Sequence, residues 1–311
     1  MATDYINQNE VAYKIIEEVE FGVMPATGSL LDLPAETGQA PLTYSTAMIE
    51  DTTQRPNRET AAPTRGHASS TGTFNMPLRP CAAIDLLIES AIAGKFDEDT
   101  GIAFGGETDV FFTMLTKLTE RGGYMGYQDG GITVNSFGLS GTAREGVTAS
   151  FELMGSKRVR TSADSALPVI AATAKSFNYI DVKNFSIAGQ TLEFINMEFS
   201  TGTAHDHRIV FGQKEATSVA ATGNRETTLS LGGYRKGFEV DALFGDDTTV
   251  EVKFDIVRGT GANTEGYRIT LPAAMCNSPT DELTDTGLLI NLEFTAHFDE
   301  VSRAAIIVEK L

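Results

Sequence analysis

The sequence contains no tryptophan and only two cysteines, Cys81 and Cys276. Without Trp, proposals built on an indole ring stacking against sugars or bases lose support. Two distant cysteines form neither a CxxC motif nor a disulfide framework, so we expect a reducing compartment and inert thiols. The chain also lacks an apolar run of roughly 18 residues and an N-terminal signal-peptide pattern, so we expect no membrane association.

Positive charge is also scarce, with 24 Lys and Arg against 42 Asp and Glu and a formal net charge of -18. A protein that grips phosphates needs a basic face, so this balance argues against a nucleic-acid reader. It leaves open a surface that must let nucleic acid pass without holding it. Thirty glycines and a 41% hydrophobic fraction indicate a folded chain with many turns and a β bias.

Motifs for catalysis are missing from the sequence. We find no Gly-x-Ser-x-Gly and no glycine-rich phosphate loop. His205 and His207 are the best metal-ligand candidates, because alternate residues of a strand point to one face. Only His67 and His297 remain as further histidines, so a polar turn entering a strand is the favoured interpretation. We therefore predict a protein that is not an enzyme and has no cofactor and no metal site.

Three helices are predicted from apolar spacing and end signals. Residues 82–93 follow Pro80 and carry an apolar stripe that ends before Gly94. Residues 109–121 carry a second stripe, and residues 238–244 form a short third candidate before Gly245.

The rest of the chain favours strands. Alternating apolar and polar residues predict antiparallel strands at 132–139, 147–153, 167–173, 191–199, 207–211, 226–231, 249–256, 267–271 and 288–298. Residues 22–73 are rich in Gly, Pro, Thr and Ser. They predict an extended arm with up to two short strands that packs on another molecule, or alternatively a partly disordered arm.

The tetrapeptide Asn-Arg-Glu-Thr occurs at residues 57–60 and again at 224–227. In both places an extended stretch and a short helix candidate follow. This order predicts a duplicated fold, with one copy in residues 1–165 and the other in 166–311. A single β-rich fold is the alternative.

The order of these segments resembles the major tail tube proteins of long, flexible-tailed bacteriophages. The resemblance begins at residues 20–25, continues through Gly72-Thr73-Phe74 and the helix at 82–93, and includes residues 131–136 and 150–155. Residues 224–231, 238–245, 249–256 and 267–272 resemble a second pass through the same scheme. Most of the chain is covered.

The resemblance implies a mainly β fold, a β-sandwich or half-barrel with flanking short helices, present here in two copies. It implies subunits that join edge to edge with copies of themselves into rings, with three chains and pseudo-sixfold symmetry for a duplicated chain and six chains otherwise. The rings would stack around a tape-measure protein and meet tail-terminator and distal tail proteins. DNA would pass through the lumen without specific binding. The protein would be made in the host cytoplasm and reside in the virion tail.

An acidic lumen would repel the phosphates of passing DNA. Outward positions of the alternating strands make Glu251, Asp255 and Glu293 the lumen candidates, unless they face the outer solvent. The segment 22–73 would order on a neighbouring ring. The alternative function is a virion decoration protein, adhesin or adaptor β-sandwich that forms no tube, and a hydrolase using His205 and His207 is a third hypothesis.

Overall fold

The computed structural model of the protein describes residues 10–52, 62–106, 108–120, 123–188, 190–191, 193–235, 237, 249–259, 261, 264–284 and 287–311. In these residues the fold is mainly β and consistent with a β-sandwich, as predicted. The first half contains β1 (Val11–Glu17), β2 (Leu30–Asp32), β3 (Thr43–Ile49), β4 (Thr64–Pro77), α1 (Ala82–Ile92), β5 (Ile102–Phe104), β6 (Phe112–Glu120), β7 (Gly123–Thr142), β8 (Thr148–Gly155) and β9 (Lys157–Thr161).

The second half begins with a two-residue strand and a 3-10 turn and is otherwise built of strands. It contains β10 (Val169–Ile170), a 3-10 helix (Tyr179–Asp181), β11 (Val182–Ile187), β12 (Gln190–Thr191), β13 (Phe194–Gly202), β14 (His205–Arg208), β15 (Ser218–Ala221), β16 (Glu226–Tyr234), β17 (Val250–Arg258), β18 (Glu265–Thr284), β19 (Gly287–His297) and β20 (Ile307–Lys310). Residues 238–244, predicted to be helical, lie outside the described residues.

Helix α1 confirms the prediction for residues 82–93. Its apolar stripe is buried in the core, and Ala93 takes the left-handed conformation that ends the helix. Gly94 follows because a Cβ there would lie 2.1 Å from the carbonyl oxygen of Phe104. The glycine is thus required by the close approach of the next strand, while the helix ends one residue earlier.

The helix predicted for residues 109–121 is wrong, because this segment forms strand β6. The strand pairs with β1 on one side and β7 on the other. Met114 packs in the main core, whereas the next residue, Leu115, packs in a second cluster with Ile16 and Leu30. A strand that is buried on both faces has apolar residues at odd and even positions alike. Its sequence therefore does not alternate and can be mistaken for the pattern of a helix.

Most of the segment 22–73 belongs to the body of the protein. Strand β2 pairs with β1 and β10, and Leu30, Leu33 and Leu42 are buried. The exposed part is the hairpin of β3 and β4, in which Met48 and Ile49 are more than half exposed. Three strands lie wholly or partly within the segment, one more than predicted, and burial of these leucines shows that the arm packs largely on its own chain.

A central antiparallel sheet runs through both halves of the chain. Its order is β3, β4, β8, the second part of β7, β13, β16, β19 and the second part of β18. The first part of β7 turns away to pair with β6 and β9, and the first part of β18 turns away to pair with β17 and β20. Two 20-residue strands therefore connect the central sheet to the second layer.

The core lies between the two layers and is continuous across both halves. Phe137 stacks on Phe151 at a centroid distance of 4.9 Å and meets Phe199 edge-on at 5.8 Å. Phe199 in turn meets Phe254 of β17 at 6.3 Å. Burial of these rings supplies the main stabilisation of the sandwich.

The strand pairings of the first half occur in the same order in the second half. β1, β6, β7, β8, β4 and β3 form one antiparallel series, and β11, β17, β18, β19, β16 and β13 form the other. Some of the register shifts also recur at matching positions. One shift lies at Asn135 in β7 and at Asn277 in β18, each opposite a glutamate, Glu152 or Glu293.

The spacing between matching strand positions differs from that of the repeated tetrapeptide. Phe74 of β4 occupies the same place in the first series as Leu231 of β16 does in the second. Fewer residues separate Phe74 from Leu231 than separate the two tetrapeptides. The second tetrapeptide runs into the start of β16, whereas residues 57–60 lie outside the described residues. The repeated tetrapeptide therefore does not mark corresponding positions of the strands.

Candidate functional site: a polar sheet face

The outer face of the central sheet is formed by the alternate residues that do not enter the core. Three rows of paired residues cross it, each from β8 towards β19. They are Glu152, Ser136, Gly202 and Glu226; then Ser150, Gly138, Ser200, Thr228 and Thr295; then Thr148, Ser140, Glu198, Ser230 and Glu293. Because strand side chains alternate, burying one face of these strands places every second residue on the other.

This face is acidic and carries no fixed positive charge. Glu152, Glu198, Glu226 and Glu293 are all exposed. Among the described outward positions of β8, β13, β16, β19 and the paired part of β7, none is Lys or Arg. The remaining side chains are mostly Ser, Thr, Asn and Gly. The face therefore combines small hydroxyl groups with negative charges that have no cationic neighbours on the same strands.

A shallow depression of about 430 Å³ lies over the middle of the face. Ser140, Glu198, Ser230, Asn291 and Glu293 are among the residues that line it. The face is thus concave beside two of its four glutamates, Glu198 and Glu293.

Small residues let the two halves approach each other where β7 meets β13. A Cβ on Gly202 would lie 2.6 Å from the carbonyl oxygen of Asn135 and 3.2 Å from Cα of Ser136. Only glycine fits at this position, because the neighbouring backbone occupies the space. The junction between the halves is therefore a specific backbone contact.

The three acidic candidates from the sequence lie in different surroundings. Glu293 is on the polar face, paired with Ser230. Glu251 is exposed on β17, outside the rows of the face. Asp255 is buried, accepts bonds from Arg268 Nε at 2.7 Å and Asn184 Nδ2 at 2.8 Å, and so has no charge to present to open solvent.

His205 and His207 lie on β14 but bond to different partners. His205 Nδ1 is 3.1 Å from Asn135 Oδ1, and His207 Nδ1 is 3.2 Å from His67 Nε2. Burial lowers the pKa of both, and the charge of His67 lowers that of His207 further. No group of three metal-ligating side chains occurs in the described part of the chain. The geometry favours neutral imidazoles that attach the β14–β15 hairpin to β7 through His205 and to β4 through His207.

A buried ion pair fixes the start of the edge strand β3. Arg158 donates to Asp129 from Nε at 2.7 Å and from Nη2 at 2.9 Å. The same Nη2 donates to the carbonyl oxygen of Leu42 at 2.8 Å. Burial raises the pKa of Asp129, and Arg158 opposes that rise. The guanidinium thus links β9 and β7 to the chain that enters β3.

Three of the four glutamates of the polar face, Glu152, Glu198 and Glu226, were not proposed from the sequence. Each alternates with buried residues in its strand. That alternation is visible in the sequence, but the strand neighbours that place the four side chains on one surface are not.

The described residues thus form an antiparallel sandwich with one polar, acidic sheet face. The sequence matches the family described as Phage tail tube protein over residues 8–296, and the chain belongs to this family. No curated protein matches the chain. The family is structural and not enzymatic, and it makes the protein a component of the virion tail. In the described residues no helix combines the length and apolar character that a membrane crossing requires.

Proposed function

We propose that this protein assembles with copies of itself into rings that stack to form the tail tube, with the polar sheet face lining the lumen through which DNA passes. The observation that carries the proposal is the face itself, which crosses both halves without a Lys or Arg on the described strands named above. A duplex carries one phosphate charge per roughly 1.7 Å of its axis. A face with only negative charge gives that duplex no ion pair to hold it.

The chain is, on this proposal, two copies of one tube fold, in residues 1–165 and 166–311. The support is the recurring series of strand pairings with register shifts at matching positions. Three chains then supply six fold copies to a ring. Stacked rings would enclose a tape-measure protein and end at the tail-terminator and distal tail proteins of a long, flexible tail.

The lumen charge falls on Glu152, Glu198, Glu226 and Glu293 in this arrangement. Glu251 lies outside their rows and Asp255 is neutralised by Arg268. The exposed end of β3, with Met48 and Ile49, is the part of the 22–73 segment that is available to a neighbouring ring.

Negative-stain electron microscopy of concentrated purified protein tests the proposal. Hollow rings or tubes are expected, and the mass of an isolated ring separates three chains from six. If the protein stays monomeric and forms no rings at any concentration, the proposed assembly is wrong. That result would favour the alternative function, a virion decoration protein, adhesin or adaptor.

A further inference from the structure

The central sheet ends at two strands that each have one partner in the described part of the chain. β3 pairs only with β4. Residues 278–284 of β18 pair only with β19. Leu283 on this second edge is 82% exposed, and Tyr44 on the first is 38% exposed. Exposed strand edges with free backbone groups readily pair with another strand.

Each edge strand corresponds to a strand inside the sheet that already has two partners. β3 corresponds to β13, because β3 pairs with β4 in the way that β13 pairs with β16. In this correspondence the pair Thr43 and Thr71 matches the pair Ser200 and Thr228. The step along the chain from Thr43 to Ser200 equals the step from Thr71 to Thr228. In the same way β18 lies beside β19 as β7 lies beside β8.

The match of β18 to β7 is equally specific. Thr280 pairs with Asn291 where Gly138 pairs with Ser150. The step along the chain from Gly138 to Thr280 is the same as the step between the two asparagines at the register shifts. Within the chain, β7 pairs with β13 at the junction of the two halves. By the same correspondence, β18 of one chain would pair with β3 of another chain.

We propose that residues 278–284 of one chain pair antiparallel with residues 39–45 of a second copy, which comprise the first three residues of β3 and the four residues before it, with Thr280 opposite Thr43. The register follows from the internal junction, in which Gly138 lies opposite Ser200. The inference rests on the proposed ring assembly and names the two edges and the register that close the ring.

The charges of the two edges favour this pairing over its alternatives. Glu282 lies on the β18 edge, where Asp281 is already paired with Arg235 Nη1 at 2.6 Å, while residues 39–45 carry no charge. Pairing two β18 edges would bring like charges together, which is unfavourable. Two different edges make a head-to-tail contact, and such contacts form rings when the rotation closes.

The pairing also continues the polar face from one chain to the next. Thr280 and Thr43 are exposed on the same side of the sheet as Asn291 and Thr71. Their hydroxyl groups would lie between Asn291 of one chain and Thr71 of the next, and so continue the polar face across the contact.

Disulfide trapping in assembled rings tests the register. Thr43→Cys with Thr280→Cys places two thiols on directly opposite positions, within the Cα separation of about 4.4–6.8 Å that a disulfide needs. The matched control is Thr43→Cys with Glu282→Cys, where the diagonal separation of about 7–8 Å is too long. Single variants report on background bonds through Cys81 and Cys276.

After mild oxidation of assembled protein, we expect covalent oligomers up to the closed ring from the Thr43–Thr280 pair. They should exceed those of the control pair and of either single variant by at least several-fold. If rings form but the disulfide does not, or if the control pair forms as much disulfide, the proposed register is wrong. Either result would leave the proposed ring assembly unaffected. A wild-type protein that forms no rings would overturn both.

Discussion

Arg158 holds the buried carboxylate of Asp129 in a two-pronged ion pair and bonds the Leu42 carbonyl with the same guanidinium. One side chain thereby connects the second layer to the strand that we propose as a ring edge. It also stacks over the ring of Tyr127 at 4.7 Å. Arg158 therefore anchors the chain where it enters β3.

Arg158→Met should lower the free energy of unfolding by about 3–5 kcal/mol, because it leaves a carboxylate buried without its partner. Denaturant unfolding measures the loss. The double variant Asp129→Leu with Arg158→Met removes both charges and should recover much of the stability. If the double variant is as unstable as the single one, lost packing and not the unpaired charge explains the effect.

The stability of the Arg158→Met variant should also depend on pH, and the direction of this dependence follows from the pKa of Asp129. Burial raises the pKa of this carboxyl above that of the unfolded chain. Its contribution to stability is therefore present at low pH and is lost as pH rises through the folded pKa. Arg158→Met removes the cation that opposes the rise, so its stability deficit should be larger at pH 8 than at pH 5. A deficit that grows towards low pH would contradict this account.

Acid should weaken the attachment of the β14–β15 hairpin to β4. The pKa of His207 is lowered by burial and by the charge of His67, so this contribution to stability is full above about pH 6.5 and is lost as pH falls. His207→Gln should lose less stability between pH 7.5 and pH 5.5 than the wild type, measured by thermal unfolding. His297→Gln, which removes an exposed histidine, is the control and should follow the wild type.

Charge reversal on the polar face should make assembled tubes retain DNA. Glu198→Lys with Glu293→Lys puts cations on the face, and DNA fragments should bind at low salt and be released as salt rises. Glu98→Lys with Glu300→Lys makes the same change in net charge at exposed turn positions. Co-sedimentation of labelled duplex with tubes measures retention. Equal retention by both variants would mean that overall charge, and not the lining of the lumen, decides binding.

Tyr267 of β18 connects the second half to α1 in the first half. Its hydroxyl donates to Asp85 Oδ1 at 2.6 Å, and burial raises its pKa well above the usual value. Tyr267→Phe should lower the free energy of unfolding by about 1.5–3 kcal/mol, the range for a hydrogen bond to a charged group. Tyr179→Phe, at an exposed site, should change it little. Unfolding in two separate transitions would show that the halves do not share one cooperative core.

The sequence by itself determined the β class, the position of α1, the family and the deficit of positive charge. Periodicity sufficed for α1, because its two charged residues, Asp85 and Glu89, are one helical turn apart among buried residues and a glycine follows its end. It also sufficed for β19, whose buried and partly exposed residues alternate from Ile290 onwards, and for β17, whose apolar residues alternate in the sequence although residues 254–257 are all buried. Periodicity failed at β6, since that strand is buried on both faces and alternation disappears.

Only the tertiary structure decided which side chains share a surface. Glu152 and Glu293 are far apart in the chain, and the register of the strands between them places both on the polar face. Asp255 alternates in the sequence just as Glu251 does, yet Arg268 on the neighbouring strand pairs with it and buries its charge. A strand's own pattern fixes which residues alternate. Its neighbours fix where the alternate face points and what covers it, because strand pairing is a long-range contact.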